Sequence, residues 1–299
     1  MRTALLIVFL SVAAYSQPCF HAAREVAPTL TAETRALYEK NLEDAELVHL
    51  EKPNAADSII WLGRRMAYLG RYKDAVRVFS SGLVLHKADP RFYRHRGHRY
   101  LTLRCFDDAI HDFETAAKLV AGKPDEIEPD GIPNAKNIPT STLQSNIWYH
   151  LGLAYYLKGN FRDALKAFGE SEKVSSNPDM LVATKHWRYM TLRRLGRKDD
   201  ASKAIASIPA NLNLIENQEY YTLIKLYKGI ASGQTLVDEF EKGTDSLGRA
   251  SIGYGLGNRY LYHGRTDEAM KIFQKITAGK QWASFGYIAA EAELKRQAK

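Results

Sequence analysis

From about residue 57 onward, apolar positions recur at i, i+3, i+4 and i+7, the spacing of one helix face. Four blocks carry the pattern most plainly: LGRRMAYLGRYKDAVRVF (62–79), RGHRYLTLRCFDDAIHDF (96–113), LGLAYYLKGNFRDALKAF (151–168) and LGNRYLYHGRTDEAMKIF (256–273). In the third, Trp148, Leu151, Gly152 and Tyr155 mark a first helix, and Phe161, Ala164, Leu165 and Phe168 mark a second. Gly152 with Ala164, Gly63 with Ala75 and Gly257 with Ala269 put minimal side chains where two helix backbones approach. Gly70, Gly159, Gly196 and Gly264 sit just beyond the first helices, where a left-handed residue without a Cβ ends a helix at little cost. Asp74, Asp108, Asp163, Asp200 and Glu268 stand before the central alanines, in the first turn of each second helix. There they complement the helix dipole, and they read as structural rather than catalytic.

The central alanines Ala75, Ala109, Ala164, Ala201 and Ala269 are 34, 55, 37 and 68 residues apart. This is a 34-residue period with a 21-residue insertion after the second unit, three extra residues after the third, and one weak unit before the last. That weak unit centres near Thr235, with apolar spacing in 219–229 and 236–240 around Gly233, and brings the count to six. A leading helix over Thr31–Leu50, with Leu37, Leu42, Ala45 and Val48 inward, and a closing helix over Gln281–Lys295, with Trp282, Phe285, Ile288 and Ala289 inward, are expected to cap the array.

With this period the chain resembles the tetratricopeptide repeat (TPR) family from about residue 56 to the end. The resemblance implies an all-α, right-handed α-solenoid of antiparallel helix pairs. Its repeats fall at 56–89, 90–121, 145–178, 182–215, 216–249 and 250–283, with a closing helix within 281–297. It also implies a concave face lined by the first helices. Carrying the family's groove positions over by register gives Arg64, Tyr68, Arg91, Arg94, His98, Asn146, Tyr149 and Tyr156 in the first three units. The later units contribute His186, Met190, Arg193, Arg194, Tyr254, Asn258 and Tyr262. None is acidic, and Arg and Tyr anchor interfaces well. A basic, aromatic groove for a protein or an extended anionic peptide is therefore expected; the plainer alternative is a surface that simply carries surplus charge. The two-carboxylate clamp of TPR domains that grip chaperone tails is not reproduced, since its first-unit positions hold Ile60 and Arg64.

The insertion, 122–144, carries Pro124, Pro129, Pro133 and Pro139 and no helical periodicity, so it is expected as a loop: an acidic spacer, or a lid over the neighbouring basic surface. Its acids Asp125, Glu126, Glu128 and Asp130 lack the oxygen spacing of an EF-hand.

Composition narrows the class. The 299 residues are 45% apolar and 25% charged with 20 Gly and 10 Pro, which excludes disordered and collagen-like chains. Two cysteines exclude a disulfide framework and a four-cysteine zinc site, and leave open whether Cys19 and Cys105 pair. Met1-Arg2, the apolar run 4–14 and the small residues Ala14 and Ser16 predict a signal peptide over 1–16 cleaved near Ser16, and hence a periplasmic or secreted protein. Residues 17–55 then form a linker and the leading helix. Pro18 before Cys19 disfavours lipoprotein anchoring, and no later apolar stretch is long enough for an integral membrane span.

Catalytic patterns are missing. His95-x-x-His98 lacks a third metal ligand at helical spacing, and Gly253-x-Gly255-x-Gly257 follows no strand, reading instead as a small-residue helix face. No G-x-S-x-G, H-E-x-x-H or C-x-x-C occurs. Neither cofactor nor metal is expected, and export removes the occasion for nucleic acid. The expected function is a non-catalytic protein- or peptide-binding scaffold. Two alternatives remain: an envelope-assembly factor resembling TPR components of outer-membrane machinery, and a small-ligand binder or enzyme using the 122–144 loop with His150 or His186.

Overall fold

The computed structural model describes residues 18–298; the expected leader over 1–16 lies outside them. A short helix α1 (Pro18–Ala22) and a leading helix α2 (Ala32–Glu51) precede six helix pairs: α3 (Ala56–Tyr68) with α4 (Tyr72–Leu85), α5 (Pro90–Thr102) with α6 (Phe106–Val120), α7 (Leu143–Lys158) with α8 (Phe161–Val174), α9 (Pro178–Arg194) with α10 (Lys198–Ala206), α11 (Gln218–Tyr227) with α12 (Gly233–Lys242), and α13 (Leu247–Leu261) with α14 (Thr266–Thr277). Helix α15 (Phe285–Gln297) closes the array. Among the described residues there is no strand, only one isolated antiparallel bridge, Ile127 to Thr142. No described helix is long and apolar enough to cross a membrane.

The pairing has a simple steric cause. All five central alanines are fully buried, and a glycine on four of the first helices faces a phenylalanine sixteen residues on: Gly63 with Phe79, Gly97 with Phe113, Gly152 with Phe168 and Gly257 with Phe273. A Cβ at Gly63, Gly152 or Gly257 would collide with the ring, so the aromatic edge fills the space the glycine leaves. Gly253 and Gly255 complete the small-residue face of α13 against Phe240 and Leu223. Side-chain caps start the helices cleanly: Asp89 accepts from the Arg91 amide ahead of Pro90, and Thr142 and Ser145 form a reciprocal capping box. The acids Asp74, Asp163, Asp200 and Glu268 pair with basic neighbours three residues away on exposed surface, as structural residues do.

Gly70, Gly159, Gly196 and Gly264 all adopt positive φ, as does Gly229 in the fifth pair. The weak unit therefore turns at Gly229, while Gly233 instead opens α12 behind the Ser232 cap. The second unit has Arg104 at the same position, with φ +65°. A non-glycine residue there costs on the order of 1 kcal/mol, and Arg104 has matching contacts on the closing segment. It bonds Glu291 Oε2 and the Trp282 carbonyl, both at 2.8 Å, and lies 3.8 Å over the Trp282 ring.

Both caps depart from expectation in detail. In α2 only Leu42 is buried; Leu37 and Val48 are exposed, because the helix touches the array through one narrow stripe. Helix α15 starts at Phe285, behind the Ser284 cap, and the preceding turn puts Trp282 flat against Tyr72. A disulfide joins Cys19 to Cys105 and straps the N-terminal segment across the first two pairs.

Candidate functional site

The first helices do line the inner side of the array, but that side is filled from within. Of the fifteen residues placed there by register, none is exposed and nine are buried: Arg64, Arg94, Asn146, Tyr149, Tyr156, His186, Met190, Tyr254 and Asn258. The expectation of an open basic groove is corrected accordingly. Two parts of the chain occupy it, the insertion over the first two units and α15 with its preceding turn over the rest.

Over the first units the insertion runs as an extended acidic segment. Glu128 meets Arg94 at 2.8 Å with both side chains 9% exposed. Arg64 Nη2 donates to the Pro129 carbonyl and Arg65 Nη1 to the Gly131 carbonyl, each at 2.8 Å. A Cβ on Gly131 would fall on the Tyr68 hydroxyl, so only glycine fits against this floor. The segment is held at both ends, by Glu128 N–H to the Ser141 carbonyl (3.3 Å) and by Leu143 N–H to the Glu126 carbonyl (2.9 Å). The acidic run is thus a docked segment, not a calcium loop. Arg91 lies beside it, held by Asp89 and by Asp57 of α3.

Over the later units the closing helix inserts one buried acid. Glu293 is fully buried; Arg194 of α9 reaches it at 2.5 Å, Arg296 at 2.6 Å and the Tyr254 hydroxyl at 3.3 Å. Burial alone would raise the Glu293 carboxyl, yet the two guanidiniums outweigh it and hold it below the usual glutamate range. Tyr156 receives a hydrogen bond from Tyr254 (2.9 Å) and donates to Asn258 (3.3 Å), and Arg296 reaches back to the Leu157 carbonyl (2.7 Å). Arg193 stacks 3.9 Å over Tyr262 and bonds the Tyr189 hydroxyl. His186 lies flat between Tyr220 and Tyr227, with Met190 buried on the same helix.

The histidines considered for chemistry are core groups. His150 is buried, donates through Nδ1–H to the Asn146 carbonyl at 2.6 Å, stacks on Phe113 and lies tilted against His98. Burial pushes His150 and His95 well below the ordinary histidine value, with Arg94 adding to it, and burial alone pushes His186 down to about 3. Neither His150 nor His186 lines the cavity of about 720 Å³ beside the insertion. Among the described residues the one trio with ligand atoms close enough for a metal is Cys19, Cys105 and Asp108, and its two sulfurs are already bonded to each other.

A cavity of about 720 Å³ remains between the insertion, α7, α9, α11 and the turn before α15. Its lining includes Asp130, Glu216, Glu219, Tyr149, Tyr220, Phe285 and His98. Burial, followed by the neighbouring Glu216, raises the Asp130 carboxyl. Glu128, Gly131, Arg99, Glu216 and Glu293 are site residues that register did not supply; only the acid run ending in Gly131 carried a local signal.

No family model and no curated protein matches the chain. Solved structures do. A tetratricopeptide repeat protein from Parabacteroides merdae is 15% identical with a TM-score of 0.48, covering 84% of this chain and 91% of that one. YrrB, described as a TPR protein with an unusual peptide-binding site, is 15% identical with a TM-score of 0.45, covering 85% and 99%. A thermophilic TPR protein of Thermus thermophilus is 19% identical with a TM-score of 0.40, covering 80% and 100%. On its own geometry, six successive antiparallel helix pairs, four of them with a glycine facing a phenylalanine sixteen residues on, the chain has an all-α solenoid fold of the tetratricopeptide type.

Proposed function

We propose that the protein is an exported, non-catalytic binding scaffold whose partner presents an extended acidic segment to the first two units, in the place now held by residues 125–131. One observation carries this reading: the chain's own acidic segment already lies there as a peptide ligand would, its carboxylate on Arg94 and its carbonyls on Arg64 and Arg65. The apolar leader and the Cys19–Cys105 disulfide support an oxidising, extracytoplasmic location. The disulfide also occupies the sulfur that a lipid anchor would need.

The test uses the insertion against itself. Neighbouring units are joined by only a few residues, Leu85 to Pro90 and Val174 to Pro178, so a short Gly-Ser linker can replace 124–141. A synthetic peptide of residues 123–132 is expected to bind this variant saturably and the intact chain at least about tenfold more weakly, because the tethered copy competes at high effective concentration. The peptide carrying Glu128→Lys is expected to lose at least about tenfold from either partner. A folded linker variant that ignores the peptide contradicts the reading. So does an intact Glu128→Lys chain, which expels the segment without shortening it, that binds no peptide.

The 720 Å³ cavity favours a second reading, a small-ligand binder. It keeps the cavity and drops the histidine base, since His150 and His186 lie outside it.

A further inference from the structure

Arg99 of α5 is a cation without an anion. Arg64 and Arg94, on the same inner surface, have the Pro129 carbonyl and Glu128. Arg99 has neither an ion pair nor a hydrogen-bond acceptor among the described residues; its one contact is the Tyr72 ring, 5.8 Å from the guanidinium. Three guanidiniums therefore face a small chamber of about 110 Å³ that holds one carboxylate, Glu128. Packing around Arg99 pushes its pKa down to about 10, which still leaves it charged at neutral pH. A partly desolvated, unpartnered charge is unfavourable unless a ligand completes it.

The space beside Arg99 is shaped for such a ligand. A cavity of about 360 Å³ opens on its far side, walled by Tyr68, Tyr72 and Trp282, with the Thr102 and Ser284 hydroxyls at its edge. Its remaining walls come from outside the repeats: residues 26–30 of the strap that the disulfide pins, Ile132 of the insertion, and the 280–284 turn. These three extras meet beside Arg99. The volume lies within the range of small-molecule sites. Aromatic walls beside the half-buried Arg99 guanidinium, with Lys280 also in the lining, suit a planar apolar body bearing one anionic group.

We propose that this cavity binds a small organic anion, a carboxylate or phosphate on a flat apolar body, with Arg99 taking the charge and the body lying beside Tyr68 and the stacked Tyr72–Trp282 pair. Arg99 is not among the residues that hold the peptide track, although Ile132 of the insertion forms part of this cavity's wall.

Phenyl phosphate, benzoate and inorganic phosphate are titrated calorimetrically into the intact chain, into Arg99→Met and into Arg77→Met, an exposed control. Saturable one-site binding of both aromatic anions is expected in the intact chain and in Arg77→Met, with Arg99→Met at least about tenfold weaker. Inorganic phosphate is expected to bind the intact chain at least about tenfold more weakly than phenyl phosphate. The thermal midpoint of Arg99→Met is expected to equal or exceed the parent's, because an unpaired charge leaves the interior. Three results overturn the proposal: neither aromatic anion binding the intact chain, equal binding in Arg99→Met, or a drop of several degrees in that variant, which would mean the guanidinium already has a structural partner.

Discussion

Replacing Glu293 by alanine is expected to cost about 3–5 kcal/mol, because it leaves Arg194 and Arg296 without their shared carboxylate. The effect should be regional. Helix α15 loses its anchor on α9, and the Tyr156–Tyr254–Asn258 cluster beneath it loses an acceptor. Denaturant unfolding followed by tyrosine and tryptophan fluorescence reads the loss. A double variant, Glu293→Ala with Arg194→Met, should recover part of it, since removing a charge together with its partner is far cheaper than orphaning the partner. By contrast, Lys40→Ala, which breaks an exposed pair with Asp44, should change stability by well under about 1 kcal/mol. A Glu293→Ala loss as small as that would mean α15 is not held on the inner face.

Mild acid is the second large perturbation. In the unfolded chain His95, His150 and His186 titrate near 6.5. In the folded chain burial holds all three below that value, His186 at about 3. Below pH 6.5 the unfolded chain therefore binds more protons than the folded one. The stability carried by the neutral imidazoles is complete above that pH and is lost as pH falls, at about 1.4 kcal/mol per unit for each histidine until its folded pKa is reached. His186, at about 3, accounts for about 2 kcal/mol of this between pH 6.5 and pH 5, and the lowered His95, His98 and His150 act in the same direction. Glu293, held below the glutamate range, adds its own loss at lower pH. Denaturant midpoints at pH 7.5, 6 and 5 should fall steadily, with Arg94 beside His95 and His150 working in the same direction. A midpoint unchanged down to pH 5 would mean these imidazoles are solvated or paired.

The repeat was legible because its causes are local. A glycine, an alanine and a phenylalanine within one pair dictate how two adjacent helices nest, and their spacing survives in the chain as a period of 34. Register placed Arg64, Arg94, Tyr156 and Arg194 on the first helices, where the contacts with the insertion and α15 fall. It could not say that the chain itself covers the inner face, because the covering contacts span long separations: Arg64 to Pro129, Tyr156 to Tyr254, Arg194 to Glu293 and Arg104 to Glu291. Nothing within one repeat encodes such pairs. Two weak signals pointed toward them, an arginine where the other turns carry glycine, and an acid run ending in glycine beside a basic face. The leading helix failed for the opposite reason: Leu37 and Val48 lie on an apolar stripe, yet α2 has too little array beside it to bury them.

Whether the inner face is covered from within is tested most directly by hydrogen exchange on the intact chain, read in peptides spanning 124–142 and 285–297. Slow exchange in both is predicted: in the first because the Glu128 amide bonds the Ser141 carbonyl and the Thr142 amide the Ser145 hydroxyl, in the second because α15 is seated through Glu293. Exchange of the 124–142 amides at the rate of a free peptide would contradict the account.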